Sequence, residues 1–253
     1  MQISASSGSN LFGAKLMLSA IILSSFLLQG CSNGVKEVNL GSINTPQPSQ
    51  ASLTSEPTPK IIQTTITQYS SDMIKKYPQL AAPKKGETIA IIETDLGTMK
   101  MKIFDKQVPD LAKNFTELAK TGKYTNVPFH RVIKDFMVQT GDFTNGNGTG
   151  GYSYKGPGKE LPNQIVKGIV HLYGTVSMAK TSAPVSIGSQ FFIVTNKDGT
   201  PFLDGGYSPI GQIYEGMEVA MAIQDLQIPG AEAPSQVVNI KKVTISKYDP
   251  AKP

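Results

Sequence analysis

Short β-strands are predicted along the C-terminal two thirds of the chain by an alternation of hydrophobic and polar residues. Residues 98–104 alternate methionine and isoleucine with Lys100 and Lys102, which is the pattern of a strand with one buried face. The β-rich segment 88–94 precedes it across turn residues 95–97, so the two segments predict a hairpin. Further strands are predicted at residues 132–140, 174–178, 190–195 and 237–246.

Two helices are predicted from apolar residues at spacings of three and four. Leu111, Phe115 and Leu118 form one stripe of a helix that begins near Pro109 and ends at Gly122. The second helix is predicted over residues 217–226. Many short strands with two helices and no internal repeat indicate a mainly β fold, in which the sheet closes into a barrel or packs as a sandwich.

The N-terminus carries an apolar run that predicts an export signal. Residues 16–28 follow Lys15 and are too few to span a bilayer, which needs about 20 apolar residues in a helix. Leu28-Gln29-Gly30-Cys31 comes next, and it resembles the lipobox of bacterial lipoproteins, in which the chain is cut before the cysteine and the cysteine is acylated. We therefore expect a signal peptide over residues 1–30 and lipidation at Cys31; the alternative is a free buried cysteine near an uncleaved segment.

Residues 31–86 predict a linker behind the acylated cysteine. Within residues 41–60, 13 of 20 are Ser, Thr, Pro or Gln, which leaves almost nothing to bury. Apolar residues at spacings of three and four over residues 61–77 predict a short helix that Pro78 would end. Cys31 is the only cysteine of the chain, so no intramolecular disulfide can form.

The charge pattern argues against nucleic-acid binding. The chain has 24 Lys and Arg against 19 Asp and Glu, for a formal net charge of +5. Only Arg131 is an arginine, and the lysines are scattered, whereas nucleic-acid readers concentrate Arg in patches or stripes. We expect a solvated lysine surface and no nucleic-acid partner.

Several familiar catalytic sites are excluded by the residues present. Glycines 146, 148 and 151 match the dinucleotide-binding G-x-G-x-x-G pattern, but no helix is predicted after them. His130 and His171 with one cysteine cannot build an all-protein zinc site, so no metal is expected. His171 lies between apolar pairs and is predicted to be a packed strand residue rather than a general base. No G-x-S-x-G motif occurs, which argues against hydrolysis.

Two linear motifs identify a family. The segments FHRVIKDFMVQTGDF (129–143) and GSQFFIVT (188–195), with Ser177-Met178-Ala179 between them, closely resemble the cyclophilin-type peptidyl-prolyl cis/trans isomerases. The resemblance covers residues 87–249. It implies a mainly β fold, a closed eight-stranded antiparallel β-barrel capped by two α-helices, and isomerase activity without a cofactor.

The chemistry of this reaction fits the residues of the motifs. Rotation about an X-Pro amide costs about 18–20 kcal/mol because it destroys C–N conjugation, and no bond to carbon is broken. A catalyst needs a dry slot for the proline ring and a fixed donor that prefers the twisted amide. By resemblance, Arg131 and Gln139 are the catalytic residues, with Arg131 as that donor. The resemblance assigns substrate binding to Phe136, Met137, Ala179, Lys180, Gln190, Phe192, Phe202, Leu203 and Tyr207.

Two of these positions depart from the family pattern. Phe202 stands where the family often has Trp, and Tyr207 where it often has His. Phe keeps the apolar surface without the indole N–H, and Tyr offers an aromatic ring with a hydroxyl. We expect catalysis to survive, with weaker binding of cyclosporin-like inhibitors.

The sequence thus predicts a membrane-anchored, exported folding catalyst that acts on proline-containing polypeptides. We expect a monomer held to the membrane through acylated Cys31, on the periplasmic or cell-surface side. The alternatives are a proline-peptide binding or chaperone module with little turnover, and a structural surface lipoprotein. On composition alone, Phe136, Met137 and Phe192 fit ordinary barrel core and Arg131 fits a surface cation; their joint register favours the enzyme.

Overall fold

The computed structural model of the chain describes residues 69–252. The predicted signal peptide, Cys31, and the linker and helix predictions as far as residue 68 lie outside the described residues. Within residues 69–252, no helix has the length and apolar character that crossing a membrane requires.

Nine antiparallel strands form one strongly curled sheet. The described strands are β1 Thr88–Thr94, β2 Gly97–Ile103, β3 Val127–Pro128, β4 Arg131–Ile133, β5 Met137–Thr140, β6 Leu161–Pro162, β7 Thr175–Met178, β8 Val185–Ile187, β9 Phe191–Val194, β10 Ser208–Glu215 and β11 Asn239–Lys247. The order of the nine-stranded sheet is β3-β11-β1-β2-β10-β7-β9-β5-β4, and β6 and β8 pair separately.

The mainly β class is confirmed, but the prediction of a closed eight-stranded barrel is wrong. The sheet has nine strands and forms a half-barrel, because its end strands β3 and β4 do not pair with each other. Only Phe129 and His130 separate these two strands in the chain. Strands β3 and β4 follow each other in the chain but pair with different strands, β3 with β11 and β4 with β5. No ladder therefore joins the two ends of the sheet.

Two of the three helices, the second and third in the chain, pack their apolar stripes onto this sheet. The helices are α1 Ser71–Lys76, α2 Pro109–Lys120 and α3 Met217–Gln224. The two predicted helices, α2 and α3, are confirmed and end two residues earlier than predicted. Leu111, Phe115 and Leu118 of α2 are buried in the main hydrophobic core, as is Ile223 of α3.

The predicted strand over residues 132–140 is two strands joined by a tight turn. β4 pairs with β5 in the register Arg131↔Gln139 and Ile133↔Met137. Asp135 in the turn has φ of 54°, a left-handed conformation that Asp tolerates better than most residues. The turn therefore folds the motif back on itself and sets Arg131 directly opposite Gln139.

The sequence pattern does not predict strand β10, because Pro209 and Gly211 interrupt its β pattern. The strand is buried on both faces between β2 and β7. A Cβ on Gly211 would lie 2.6 Å from the carbonyl oxygen of Lys102, so only glycine permits this close approach of β10 to β2. The register shifts between Pro209 and Gly211, which accommodates the missing N–H of proline.

Residues 69–85 pack against the sheet ahead of β1. The short helix α1 ends before Pro78, as predicted, but it begins only after its N-cap Ser70, and it buries none of its residues. A single 3₁₀ turn follows, in which Gln79 and Leu80 are buried. The Gln79 amide donates to the carbonyl of Val170 at 2.9 Å and to Thr175 Oγ1 at 3.2 Å.

Lys102 departs from the predicted alternation of β2. Its apolar neighbours Met99, Met101 and Ile103 are buried as expected, but Lys102 is also buried. Its ammonium donates to the carbonyl oxygen of Ala81, in the segment that precedes β1. Burial lowers the pKa of Lys102, although nearby Glu87 opposes the shift. The predicted polar face of β2 is thus partly covered.

Candidate active site

A cavity of about 260 Å³ opens beside the β4–β5 hairpin. Most of the catalytic and substrate-binding residues that the resemblance assigns meet around it. The lining residues are Arg131, Phe136, Met137, Gln139, Ala179, Lys180, Phe192, Leu203 and Tyr207. We call this the main cavity.

Four elements bring these residues together. The β4–β5 hairpin supplies Arg131, Gln139 and Met137, and β9 places Phe192 opposite Gln139 in the ladder. A 3₁₀ turn, Pro201–Leu203, supplies Leu203. Beyond the end of β7, the backbone N–H of Ala179 donates to the carbonyl of Gln190 at 2.9 Å.

The inner part of the main cavity is apolar. Met137, Phe192 and Leu203 belong to a hydrophobic cluster separate from the main core, with Phe136 and Tyr207 packed against it. The ring of Tyr207 meets Phe192 edge-on at 5.8 Å between centroids. Because these side chains are held by neighbouring strands and turns, they form a preformed apolar slot.

A row of hydrogen-bonded polar side chains borders this slot, and we call it the polar row: Arg131, Gln139 and Gln190. Arg131 Nη1 donates to Gln139 Oε1 at 3.3 Å, and Gln139 Nε2 donates to Gln190 Oε1 at 2.9 Å. Gln190 Nε2 in turn donates to the carbonyls of Gly148 and Gly150 at 3.0 and 2.8 Å. Each amide is thereby held in one orientation.

Gln190 and Phe202, both predicted to bind substrate, do not line the main cavity. Gln190 supports Gln139 from the side and borders a second cavity of about 450 Å³, which shares Gln139, Ala179 and Lys180 with the first. Phe202 is 73% exposed, and its ring packs on Phe136 at 5.5 Å between centroids. It therefore extends the apolar surface outside the slot.

The glycine-rich loop 144–151 closes around a residue that sequence reasoning did not single out, Asp142. This carboxylate is fully buried and accepts backbone N–H bonds of residues 144, 145, 147, 148 and 150. Burial alone would raise the pKa of Asp142, but these amides outweigh it and hold the pKa far below its ordinary value. These amides of the loop are thus used internally.

His171 is packed, as predicted, although it precedes β7 rather than lying in a strand. Its Nδ1 lies 2.8 Å from Asp204 Oδ1 and its Nε2 lies 3.0 Å from Ser177 Oγ. Burial lowers the pKa of His171, although Asp204 opposes the shift. This Asp-His-Ser arrangement is not a nucleophilic site, because Ser177 is fully buried within β7. His171 instead stacks behind Phe192 at 6.2 Å between centroids.

Metal ligands are not grouped in the described part of the chain. Residues 69–252 contain no group of three or more His, Cys, Asp or Glu side chains that could hold a metal ion.

A second residue missed by sequence reasoning is Glu232. Its Oε2 accepts a hydrogen bond from Arg131 Nε at 2.6 Å, across 101 residues of chain. No local sequence signal marks Glu232, since it lies in a loop after α3 with no motif around it.

Comparison with known proteins identifies related isomerases. The family profile described as cyclophilin type peptidyl-prolyl cis-trans isomerase/CLD matches residues 89–245. Peptidyl-prolyl cis-trans isomerase cypE of Dictyostelium discoideum is 38% identical over 159 residues, which are 62% of this chain and 97% of that protein. CYP71 of Arabidopsis thaliana is 39% identical over 158 residues, and the match spans only 24% of that longer isomerase.

Solved structures show the same likeness. A cyclophilin type peptidyl-prolyl cis-trans isomerase of Cryptosporidium parvum superimposes with a TM-score of 0.60 at 31% identity, covering 64% of this chain and 99% of that one. The same protein in the presence of the dipeptide Ala-Pro gives a TM-score of 0.58 at 33% identity, covering 63% and 99%.

Proposed function

The chain belongs to the cyclophilin-type peptidyl-prolyl cis-trans isomerases and is a rotamase, and from that premise we propose that it turns X-Pro bonds in the main cavity with Arg131 as the donor. One observation carries this assignment of residues: Arg131 and Gln139 face each other across β4 and β5 at the border of an apolar slot. A Cryptosporidium parvum relative studied with Ala-Pro supports proline-containing peptides as the substrate class.

The proline ring of the substrate occupies the apolar slot in this proposal. The slot is lined by side chains that are each less than a tenth exposed: Met137, Phe192 and Leu203. A proline ring that packs against them is therefore removed from contact with water. Burying its three CH₂ groups contributes about 2 kcal/mol at roughly 0.8 kcal/mol per group. This burial stabilises the substrate equally whether its amide is planar or twisted. The slot therefore contributes to the affinity and orientation of the substrate and does not lower the barrier to rotation.

Arg131 supplies the preference for the twisted amide. When the C–N bond rotates, conjugation is lost and the nitrogen regains a lone pair that accepts a hydrogen bond. The guanidinium of Arg131 is a cationic donor, and a charged donor makes a stronger hydrogen bond than a neutral one. Gln139, held by Arg131 and Gln190, offers a second polar contact to the substrate backbone. Ala179 and Lys180, at the boundary of the two cavities, receive the residues that precede proline.

The test is cis/trans exchange of a short Ala-Pro peptide, followed by nuclear magnetic resonance for the wild type and Arg131→Ala. A lost hydrogen bond to a charged group is worth about 1.5–3 kcal/mol, so we expect exchange to slow about 10- to 150-fold. Lys134→Ala is the matched control, because Lys134 is an exposed cation on the same hairpin. Exchange that Arg131→Ala leaves unchanged would overturn the assignment, and binding without exchange in the wild type would indicate a peptide-binding module.

We further propose that the enzyme is exported and anchored by acylation of Cys31, so that its clients are exported proteins. Residues 16–28 and the lipobox-like Leu28-Gln29-Gly30-Cys31 support this, and the polar residues after Cys31 provide reach from the membrane. Cys31→Ser is expected to move the protein from the membrane fraction to the soluble fraction with isomerase activity intact. Unchanged fractionation of Cys31→Ser would refute the anchor and leave the enzyme assignment untouched.

A further inference from the structure

The Arg131 guanidinium is held from two sides. Gln139 Oε1 accepts from Nη1 at 3.3 Å on the cavity side of β4, and Glu232 Oε2 accepts from Nε at 2.6 Å. Arg131 is the only arginine of the chain, and Glu232 is the only acidic side chain that pairs with it among the described residues. The two contacts leave the Nη2 group and one Nη1 hydrogen for a ligand.

The loop that carries Glu232 is hydrogen-bonded to the edge of β4 that does not pair with β5. The backbone N–H of Val132 donates to the carbonyl of Glu232 at 3.0 Å. The side chain of Gln227 links the end of β4 to this loop. Its Oε1 accepts a hydrogen bond from the Lys134 N–H at 2.6 Å, and its Nε2 donates to the Ala231 carbonyl at 2.6 Å. The backbone of Glu232 is therefore fixed relative to the residue next to Arg131.

Stability does not account for this pair. The side chains of Arg131 and Glu232 are 37% and 61% exposed, and exposed ion pairs contribute only about 0–1 kcal/mol to folding. The effect of the pair is instead to orient the guanidinium of Arg131. A free arginine side chain samples many rotamers, and two contacts at Nε and Nη1 fix the plane of the guanidinium.

We propose that Glu232 is a positioning residue for the isomerase reaction. It binds Nε and so turns the Nη edge of Arg131 toward the main cavity, which makes the Nη groups, not Nε, the donors to the twisted amide. This inference rests on the proposed role of Arg131 as the donor. It assigns to a residue outside both sequence motifs part of the preorganisation that catalysis requires.

The first measurement is spectroscopic and independent of turnover. Because the chain has one arginine, the full-length protein gives one arginine Nε–Hε resonance. In Glu232→Ala we expect this hydrogen to exchange with water several-fold faster than in the wild type and its chemical shift to move. Glu232→Gln keeps a neutral acceptor and is expected to fall between the two.

The second measurement is steady-state kinetics on the Ala-Pro peptide. Glu232→Ala is expected to lower kcat about three- to tenfold with KM little changed, since the Arg131 contact forms in the transition state. Glu232→Gln is expected to recover part of that loss. Glu117→Ala is the matched control, because Glu117 forms an exposed ion pair with Lys120 at 3.0 Å away from the cavity.

The outcomes separate the two proposals. If Arg131→Ala slows exchange but both Glu232 variants keep the wild-type kcat, the positioning role is refuted and the role of Arg131 stands. If kcat falls while the Nε–Hε signal stays unchanged, Glu232 does not act through Arg131 and the inference is also overturned. If Arg131→Ala itself keeps full activity, the proposed donor fails, and the positioning role fails with it.

Discussion

Asp142→Asn is expected to destabilise the fold strongly, although the change removes only one charge and adds no volume. Asp142 Oδ1 accepts from the backbone of Thr144 and Asn145 and from the Thr144 hydroxyl, and Oδ2 accepts from the backbone of Asn147, Gly148 and Gly150. Whichever oxygen becomes an NH₂ group, one side of the carboxylate loses its acceptor and faces N–H donors.

The magnitude follows from this geometry. Three hydrogen bonds at a net value of about 1–1.5 kcal/mol each give a loss of roughly 3–5 kcal/mol in the free energy of unfolding. That is a large fraction of the about 5–15 kcal/mol by which such domains are stable. The loop carbonyls also hold Gln190, so isomerase activity is expected to fall together with stability.

Urea denaturation of wild type, Asp142→Asn and the exposed control Asp198→Asn measures the loss. Far-ultraviolet circular dichroism is the appropriate signal, because the chain has no tryptophan. The lowered pKa of Asp142 means that its stabilisation is complete above the unfolded value near 4 and is lost as the pH falls further toward the folded pKa. The difference between wild type and Asp142→Asn should therefore shrink below about pH 4. A difference under 1 kcal/mol at pH 7 would refute the reasoning.

Three further predictions address other parts of the molecule. Gln79→Ala removes buried hydrogen bonds to Val170 and is expected to lower the free energy of unfolding by about 1–3 kcal/mol in urea, whereas exposed Gln107→Ala should change little. Because burial lowers the pKa of His171, the unfolded chain takes up the proton first; stability is expected to fall as the pH drops below about 6.5, and a urea series with an equal slope in His171→Gln would contradict this. Phe202→Trp adds an indole N–H at the exposed rim and is expected to bind a cyclosporin-like inhibitor more tightly; equal inhibition of both proteins would count against the role of Phe202.

Local patterns were sufficient for much of the fold and of the candidate site. The stripe of α2 and the alternation of β2 gave helix and strand positions within two residues, because these periods reflect burial of one face. Arg131 and Gln139 lie only eight residues apart, on either side of one turn, so a linear motif keeps them together.

Contacts between distant residues were not predictable in this way. Glu232 meets Arg131 across 101 residues, and Gln79 meets Gln212 across 133, with no periodic signal at either position. The sheet stays open because β3 pairs with β11 and β4 pairs with β5. Local strand propensity does not determine which strands pair with each other. Strand propensity does not predict β10, because Pro209 and Gly211 both disfavour a strand, and Gly211 is required there by the close approach of β2.

The packing of residues 69–85 onto the sheet has a mechanical consequence. A pulling force applied at the N-terminus first loads the hydrogen bond from Tyr69 Oη to the Tyr173 carbonyl, which is 2.8 Å long. It then loads the hydrogen bonds of Gln79, and only afterwards strand β1. These contacts are separate single hydrogen bonds, whereas β1 is paired with β11 from Thr88 to Thr94 and with β2 from Ile89 to Thr94. A stretched molecule should thus lengthen in a first small step with the catalytic half-barrel intact, and single-molecule extension traces lacking that step in Gln79→Ala would locate the restraint at this residue.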